Sequence, residues 1–255
     1  MINAIIKKSN NFILRSLNYE ISTKNNLWFK GSKIPETSYE KDNEFHGLYD
    51  LGQETTDMVE SDNALRRLRH YTLIKALNNA QMYHGDVVEL GCWKGLSTFQ
   101  IATYLKEIGY NSIFHVFDSF EGLSELDKID MPVDRKVHPE IVRKYFKCSL
   151  DTVKQNLNQF NFIKYYKGWI PDEFFHVKDR QFSFVHIDVD LYQPIKDTID
   201  FFYPKLCKNG IIVFDDYGCT QFPGAKQAID EFIITTEDDF FIPLPSGQAI
   251  LIKRI

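Results

Sequence analysis

Two stretches of this 255-residue sequence carry groups that bind cations and move protons. The apolar run Phe182-Ser-Phe-Val-His-Ile187 stops at Asp188, with Asp190 two residues on. Ile211-Ile-Val-Phe214 stops the same way, at Asp215 and Asp216, followed by Tyr217. Each run reads as a buried strand, so four acidic side chains stand at strand ends. In an open parallel α/β sheet, ligands bind beyond the carboxyl ends of the strands. Carboxylates gathered there need a cation, a proton or hydrogen-bond donors. The pattern points to a divalent-metal site with a base beside it. Solvated strand-end acids or helix caps are the bland alternative. One Asp would suit that reading, but four on two strand ends carry a repulsion it does not explain.

The surrounding elements alternate strand and helix. Val87, Val88 and Leu90 make a short buried strand, marked at its end by Glu89 and Gly91, and Gly95 opens a helix through about Leu105. Strand, glycine-rich turn, helix is a nucleotide-binding layout. Gly91 and Gly95 are spaced differently from the G-x-G-x-x-G dinucleotide fingerprint, and such a turn can offer backbone N–H groups to a carboxylate instead of a pyrophosphate. Ile113 to Asp118 is the next strand, and an acid there commonly holds ribose hydroxyls; its plain alternative is a cap on the turn Ser119-Phe-Glu-Gly122. Residues 123–137 are polar, contain Pro132 and show no clean period, which predicts a mobile loop at the site mouth. Helical patterns follow at about 139–148 and 150–159. Phe162 to Tyr166 reads as a third strand leading to Gly168-Trp169, where Trp169 is placed to stack on an adenine or simply to pack.

After the strand at 182–188, a helix runs from about Pro194 to Leu206. Asn209-Gly210 reads as the turn before the strand at 211–215, and Gly224 to about Thr235 as another helix. Phe240–Ile242 and Ala249–Ile252 read as a closing antiparallel hairpin around Pro245-Ser-Gly247. Upstream, Ser61 or Asp62 suits an N-cap for a helix whose apolar face is Leu65, Leu68, Leu73, Ile74 and Leu77. Residues 1–60 are weakly periodic and predict an N-terminal arm that covers the main domain or a neighbouring subunit of a homo-oligomer and contributes to a lid. Residues 61–255 are the predicted main domain.

Composition narrows the classes. Hydrophobic residues make up 44% and charged residues 25%, enough for a core and not a disordered chain. The net charge of −5 argues against a nucleic-acid footprint. Arg66, Arg67 and Arg69 form a local basic cluster that reads as a solvated helix face. The four cysteines, Cys92, Cys148, Cys207 and Cys219, have neither disulfide nor zinc spacing. No apolar run approaches the ~18 residues of a membrane span, and no signal peptide is evident. The expectation is a cytoplasmic protein.

Together, Val-Val-Glu89-Leu-Gly91, Phe-Asp118-Ser-Phe-Glu-Gly122, Gly168-Trp169, His-Ile-Asp188-Val-Asp190-Leu-Tyr192 and Phe-Asp215-Asp216-Tyr217 resemble the macrocin O-methyltransferase family, which is S-adenosylmethionine- and Mg²⁺-dependent and methylates sugars. The resemblance covers roughly residues 55–253; the first 55 match nothing placed. It implies a Rossmann-like seven-stranded methyltransferase sheet with helices on both faces. It also implies metal ligands at Asp188, Asp215 and Asp216 and a general base at Asp190. Glu89 and Gly91 then fall at the methionine end of the cofactor, with Ser97 and Glu60 as further candidates there. Asp118 and Ser119 fall at the ribose, Trp169 at the adenine, and Asp188 beside the cofactor as well as the metal. His186 stands where relatives have Arg, and Cys92-Trp93-Lys94 varies the usual turn.

A sugar hydroxyl is hardly ionised at neutral pH, so methyl transfer to it needs help. A Mg²⁺ ion beside it lowers its pKa, and a positioned carboxylate takes the proton, worth about 10²–10⁴ in rate. The expected acceptor is a nucleotide-linked or glycosidic sugar in bacterial surface-polysaccharide or natural-product biosynthesis. Three other readings compete. A catechol-type O-methyltransferase uses a similar metal site. An Asp-x-Asp glycosyltransferase would leave Glu89, Gly91, Asp215 and Asp216 without roles. A non-catalytic α/β binding protein would transfer no methyl group.

Overall fold

In a computed structural model, the structure describes residues 38–80, 84–131, 138–236 and 238–254. Most of the predicted N-terminal arm, residues 1–37, and positions 132–137 of the predicted mouth loop lie outside the described residues. The chain divides into two compact units, 1–43 and 44–255. The first contributes one described helical turn, Ser38–Lys41. Helix α1 (Asn43–Thr56) buries Phe45, Tyr49, Gly52, Gln53 and Thr56, and its aromatic face ties it to the larger unit. Tyr49, for instance, meets the ring of His70 edge-on.

The larger unit is built on a seven-stranded sheet of order β3-β2-β1-β4-β5-β7-β6. The strands are β1 (Asp86–Leu90), β2 (Phe114–Asp118), β3 (Ile163–Lys167), β4 (Phe182–Ile187), β5 (Leu206–Phe214), β6 (Phe240–Pro243) and β7 (Ala249–Ile252). The first five are parallel, and β7 runs antiparallel to β5 and β6. β1 and β4 are wholly buried, their polar residues Asp86, Glu89, Ser183 and His186 included.

Alternation along the strands sends side chains into two cores. Val87, Val116, Phe184 and Val213 meet helices α2 (Ala64–Ala80), α3 (Leu96–Glu107) and α5 (Leu150–Asn156) on one face. Val88, Phe117, Val185 and Phe214 meet α6 (Tyr192–Phe202) and α7 (Pro223–Ile233) on the other. A shorter helix, α4 (Pro139–Tyr145), buries none of its residues. The predicted layering of helices on both faces is therefore what forms.

Two local readings change. Asn209-Gly210 is not a turn before β5 but lies within it, with Asn209 at φ 61°. The strand stays in the sheet there because Asn209 N–H donates to Lys253 O (2.6 Å) and Lys253 N–H donates to Gly210 O (3.0 Å). The described part of the mouth loop is anchored. Asp130 is buried, and its Oδ1 accepts from the N–H of Tyr192, the first residue of α6, at 2.8 Å.

Candidate active site

The strand order reverses between β1 and β4, since β2 lies on one side of β1 and β4 on the other. Such a switch point leaves a crevice beyond the strand ends, and a cavity of about 200 Å³ lies there. Its lining includes Gly91, Asp118, Ser119, Trp169, Asp188 and Asp190, so six of the candidate residues share one wall system. Trp93, Leu123, Phe146 and Ile170 supply apolar surface. A mostly apolar pocket with a few convergent polar groups is the usual form of a cofactor site.

The floor is set by a close approach. Gly91 N–H donates to Phe117 O (2.8 Å), and Asp188 N–H donates to Leu90 O (2.9 Å). Gly91 has φ +83°, and a Cβ there would stand 1.8 Å from the Asp188 carbonyl oxygen. Asp118, at the end of β2, accepts from the N–H groups of Cys92 (2.8 Å) and Trp93 (3.1 Å) on one oxygen and Phe120 (2.6 Å) on the other. It holds the glycine-rich turn, and a carboxylate has about four acceptor positions, so one remains for a hydroxyl. Burial pushes its carboxyl up, against these three hydrogen bonds. Asp118 and the exposed Trp169 both line this cavity.

Three cofactor candidates lie elsewhere. Glu89 is sealed beneath the cavity: its Oε2 accepts from Thr98 Oγ1 (2.5 Å), and its Oε1 lies 3.0 Å from His186 Nδ1. Neighbouring parallel strands put Glu89 and His186 in register. Ser97 is buried in α3 and does not line the cavity. Glu60 is exposed on the one-turn helix Val59–Ser61, also off the lining.

The carboxylate cluster adjoins the cavity through Asp188 and Asp190. One ligand atom each from His186, Asp188 and Asp215 lies within 4.8 Å of the others. Asp216 stands outside that group of three: its Oδ2 accepts from the Asp190 N–H (3.1 Å), and its Oδ1 lies 3.3 Å from Arg69 Nη2. Arg69, on α2, also pairs through Nη2 with Asp215 Oδ2 and donates to the Asp215 carbonyl (2.5 Å). Gln248 Nε2 donates to Asp215 Oδ1 at 2.6 Å. Burial would raise the Asp215 carboxyl, but Arg69, His186 and Gln248 hold it well below the usual range. Burial likewise works against a charged His186, yet Asp215 and Glu89 push it up to about 10.

Asp188 and Asp190 have no such partners. Among the described residues neither side chain makes a hydrogen bond, and burial plus the neighbouring carboxylates pushes both well up. Asp190 also sits at φ 58°, a left-handed conformation that Asp tolerates better than most residues. Arg69 pairs with Asp215 and Asp216 and His186 stands near Asp215, and neither cation makes a hydrogen bond to the Asp188 or Asp190 side chain. Hard carboxylate oxygens facing a cavity are the donors that Mg²⁺ takes, so the residues fit a divalent ion.

Arg69, Gln248 and His186 complete the cluster, although no motif in the sequence marks Arg69 or Gln248 as a site residue. Arg69 is not on a solvated face. Only Arg66 and Arg67 of that basic cluster lie away from the acids, with Arg67 paired to Asp50 and Asp62 at 2.7 Å each.

This sheet and its switch-point cavity define an α/β methyltransferase fold, and the solved O-methyltransferase NovP shares it. The TM-score is 0.64 at 22% identity, over 73% of this chain and 80% of that one. The profile of the macrocin-O-methyltransferase (TylF) family matches residues 15–238, and the chain belongs to that family. The match takes in most of the N-terminal stretch that motif reading leaves without a counterpart. Two curated relatives are similar. The 8-demethyl-8-(2,3-dimethoxy-alpha-L-rhamnosyl)-tetracenomycin-C 4'-O-methyltransferase of Streptomyces olivaceus is 25% identical over 66% of each chain. The demethyldecarbamoylnovobiocin O-methyltransferase of Streptomyces niveus is 26% identical over 58% of each. The matches thus span 66% and 58% of those relatives' length, less than two thirds in each case. Among the described residues, no helix is long and apolar enough to cross a membrane.

Proposed function

We propose that this protein transfers a methyl group from S-adenosylmethionine to a hydroxyl of a sugar, assisted by Mg²⁺. The observation that carries the reading is that Asp188 and Asp190 belong at once to the switch-point cavity and to the carboxylate cluster. A donor pocket and a cation site that share a wall would suit methyl transfer to a hydroxyl bound beside the cation. Family membership and the rhamnosyl compound in one relative's name favour a sugar acceptor over a catechol. The acceptor in this reading is a glycosidic or nucleotide-linked sugar of a small natural product or surface polysaccharide.

S-adenosylmethionine would supply the activated methyl, and Mg²⁺ would supply positive charge beside the attacking oxygen. Asp118 binds ribose hydroxyls and Trp169 faces the adenine. The apolar wall of Trp93, Phe146 and Ile170 excludes water, which strengthens charge interactions inside. Asp188 and Asp215 hold the cation, with Asp216 beside them. Asp190 accepts the hydroxyl proton, its carboxylate form favoured once a cation stands next to it.

Formation of S-adenosylhomocysteine from a panel of nucleotide-linked and glycosidic sugars, with and without EDTA, tests the reading. Turnover should require the divalent ion. Asp188→Asn should abolish it while S-adenosylmethionine still binds, and Asp118→Ala should weaken cofactor binding at least about tenfold. EDTA-resistant turnover, or a full-activity D188N enzyme at limiting Mg²⁺, refutes the metal assignment.

A further inference from the structure

We propose that Arg69 is the resident counter-cation of the carboxylate cluster, and that a divalent ion enters by displacing its guanidinium from Asp215 and Asp216. The inference rests on the metal reading above. The guanidinium touches the side chains of both acids and the Asp215 carbonyl through one nitrogen, Nη2. Its Nε is buried with no hydrogen-bond partner among the described residues. An arginine built permanently into a carboxylate site normally presents a two-nitrogen fork. Here one nitrogen carries every contact, so the tether is strong in charge but weak in geometry. The Arg69 side chain is also 28% exposed, while those of Asp215 and Asp216 are 13% and 6% exposed. It therefore has a way out toward solvent that the acids lack.

Charge supplies the reason for such a residue. Asp188, Asp190, Asp215 and Asp216 all bear on Arg69. Without a metal, the cation in contact with both Asp215 and Asp216 is this guanidinium, while His186 stands between Asp215 and Glu89. Removing Arg69 would leave the acids unscreened and the metal-free cluster repulsive. A bound divalent ion does the same screening with twice the charge, and its own field repels the guanidinium. The two cations are thus alternatives. Gln248, which grips both the Asp215 carboxylate and the Arg69 carbonyl, would keep Asp215 and the helix backbone in place while the guanidinium moves.

The test uses Mn²⁺ alone with the full chain, read by calorimetry and thermal unfolding. Arg69→Gln should lower the metal-free Tm and bind Mn²⁺ about tenfold tighter than wild type, because one competing positive charge is gone. Mn²⁺ should also raise the Tm of this variant by more than it raises that of the wild type. Arg69→Lys, which keeps the charge, should stay near wild type. Equal or weaker Mn²⁺ affinity in R69Q, with wild type binding normally, overturns this inference alone. No Mn²⁺ binding by either protein overturns it together with the metal reading. If R69Q does not fold even with Mn²⁺, a wild-type crystal structure with Mn²⁺ decides. Nη2 withdrawn from Asp216 supports displacement, and Nη2 still bonded to both acids refutes it.

Discussion

Replacing Gly91 by alanine should damage stability and cofactor binding together, by an amount the structure sets. Two costs add. A left-handed backbone costs a non-glycine residue about 1–2 kcal/mol. Gly109, at φ +67° with nothing within 4 Å of where a Cβ would stand, would incur only that cost. Because alanine also restricts the unfolded chain by about 0.4–1 kcal/mol, Gly109→Ala should lose about 1 kcal/mol or less. At Gly91, φ is +83°, and the new methyl would stand 1.8 Å from the Asp188 carbonyl oxygen and 2.8 Å from its carbon. Those neighbours are backbone, so no rotamer change relieves the contact. The end of β4 must move by more than an ångström, and forced overpacking of this kind costs about 1–3 kcal/mol. Gly91→Ala should therefore lose about 3 kcal/mol. The shifted residue is Asp188, so affinity for S-adenosylmethionine should fall at least about tenfold. Urea unfolding of both variants at 25 °C, with a calorimetric titration of the donor, measures both effects. Equal destabilisation by the two substitutions, or donor affinity preserved in G91A, would refute the claim that this glycine exists to let β1 and β4 approach.

Two further predictions concern parts of the fold away from the acid cluster. At the opposite end of β1, burial would raise the Asp86 carboxyl, but hydrogen bonds from His115 (3.1 Å) and Ser112 and the charge of Arg180 at 3.6 Å hold it low. A depressed folded pKa means that its contribution is complete above the ordinary Asp value of about 3.9 and is lost as pH falls through the folded value. Asp86→Asn should thus destabilise at pH 7, and urea unfolding near pH 2 should show the gap to wild type closing; a pH-independent gap contradicts the assignment. Asp130→Ala removes the acceptor at the start of α6 and frees the loop beside the cavity, at a cost of about 1 kcal/mol in stability. It should raise KM for the sugar while leaving donor affinity within about twofold, and an unchanged KM would mean that the anchored loop does not shape the acceptor side.

The outline of this fold was legible because local signals agreed with one another. β4 and the Ile211–Phe214 half of β5 are largely apolar runs, and the acids at 188, 190, 215 and 216 stand where those two runs stop, so strand ends and site coincide in the sequence itself. What stayed hidden depended on partners far away in the chain. Glu89 is placed at the cofactor by the family resemblance. Only the register of β1 with β4 reveals His186 beside it, and the fold adds Thr98, one contact on each carboxylate oxygen. Asn209-Gly210 has the composition of a turn, and the pairing of β5 with the far end of the chain overrides that preference. Arg69 is the instructive case, because its signal was present and outweighed. On a 3.6-residue helix, positions 69, 73 and 77 share a stripe, and Leu73 and Leu77 are buried there. An arginine continuing an apolar stripe must either end in water or meet a buried charge. Of its neighbours only Arg67 lies off the stripe; Arg66 shares it, and its guanidinium stands over the Trp93 ring at 5.7 Å. A cation on the core-facing side of α2 and four acids at the ends of β4 and β5 are complementary halves of one electrostatic unit, and neither half is stable in a buried setting without the other.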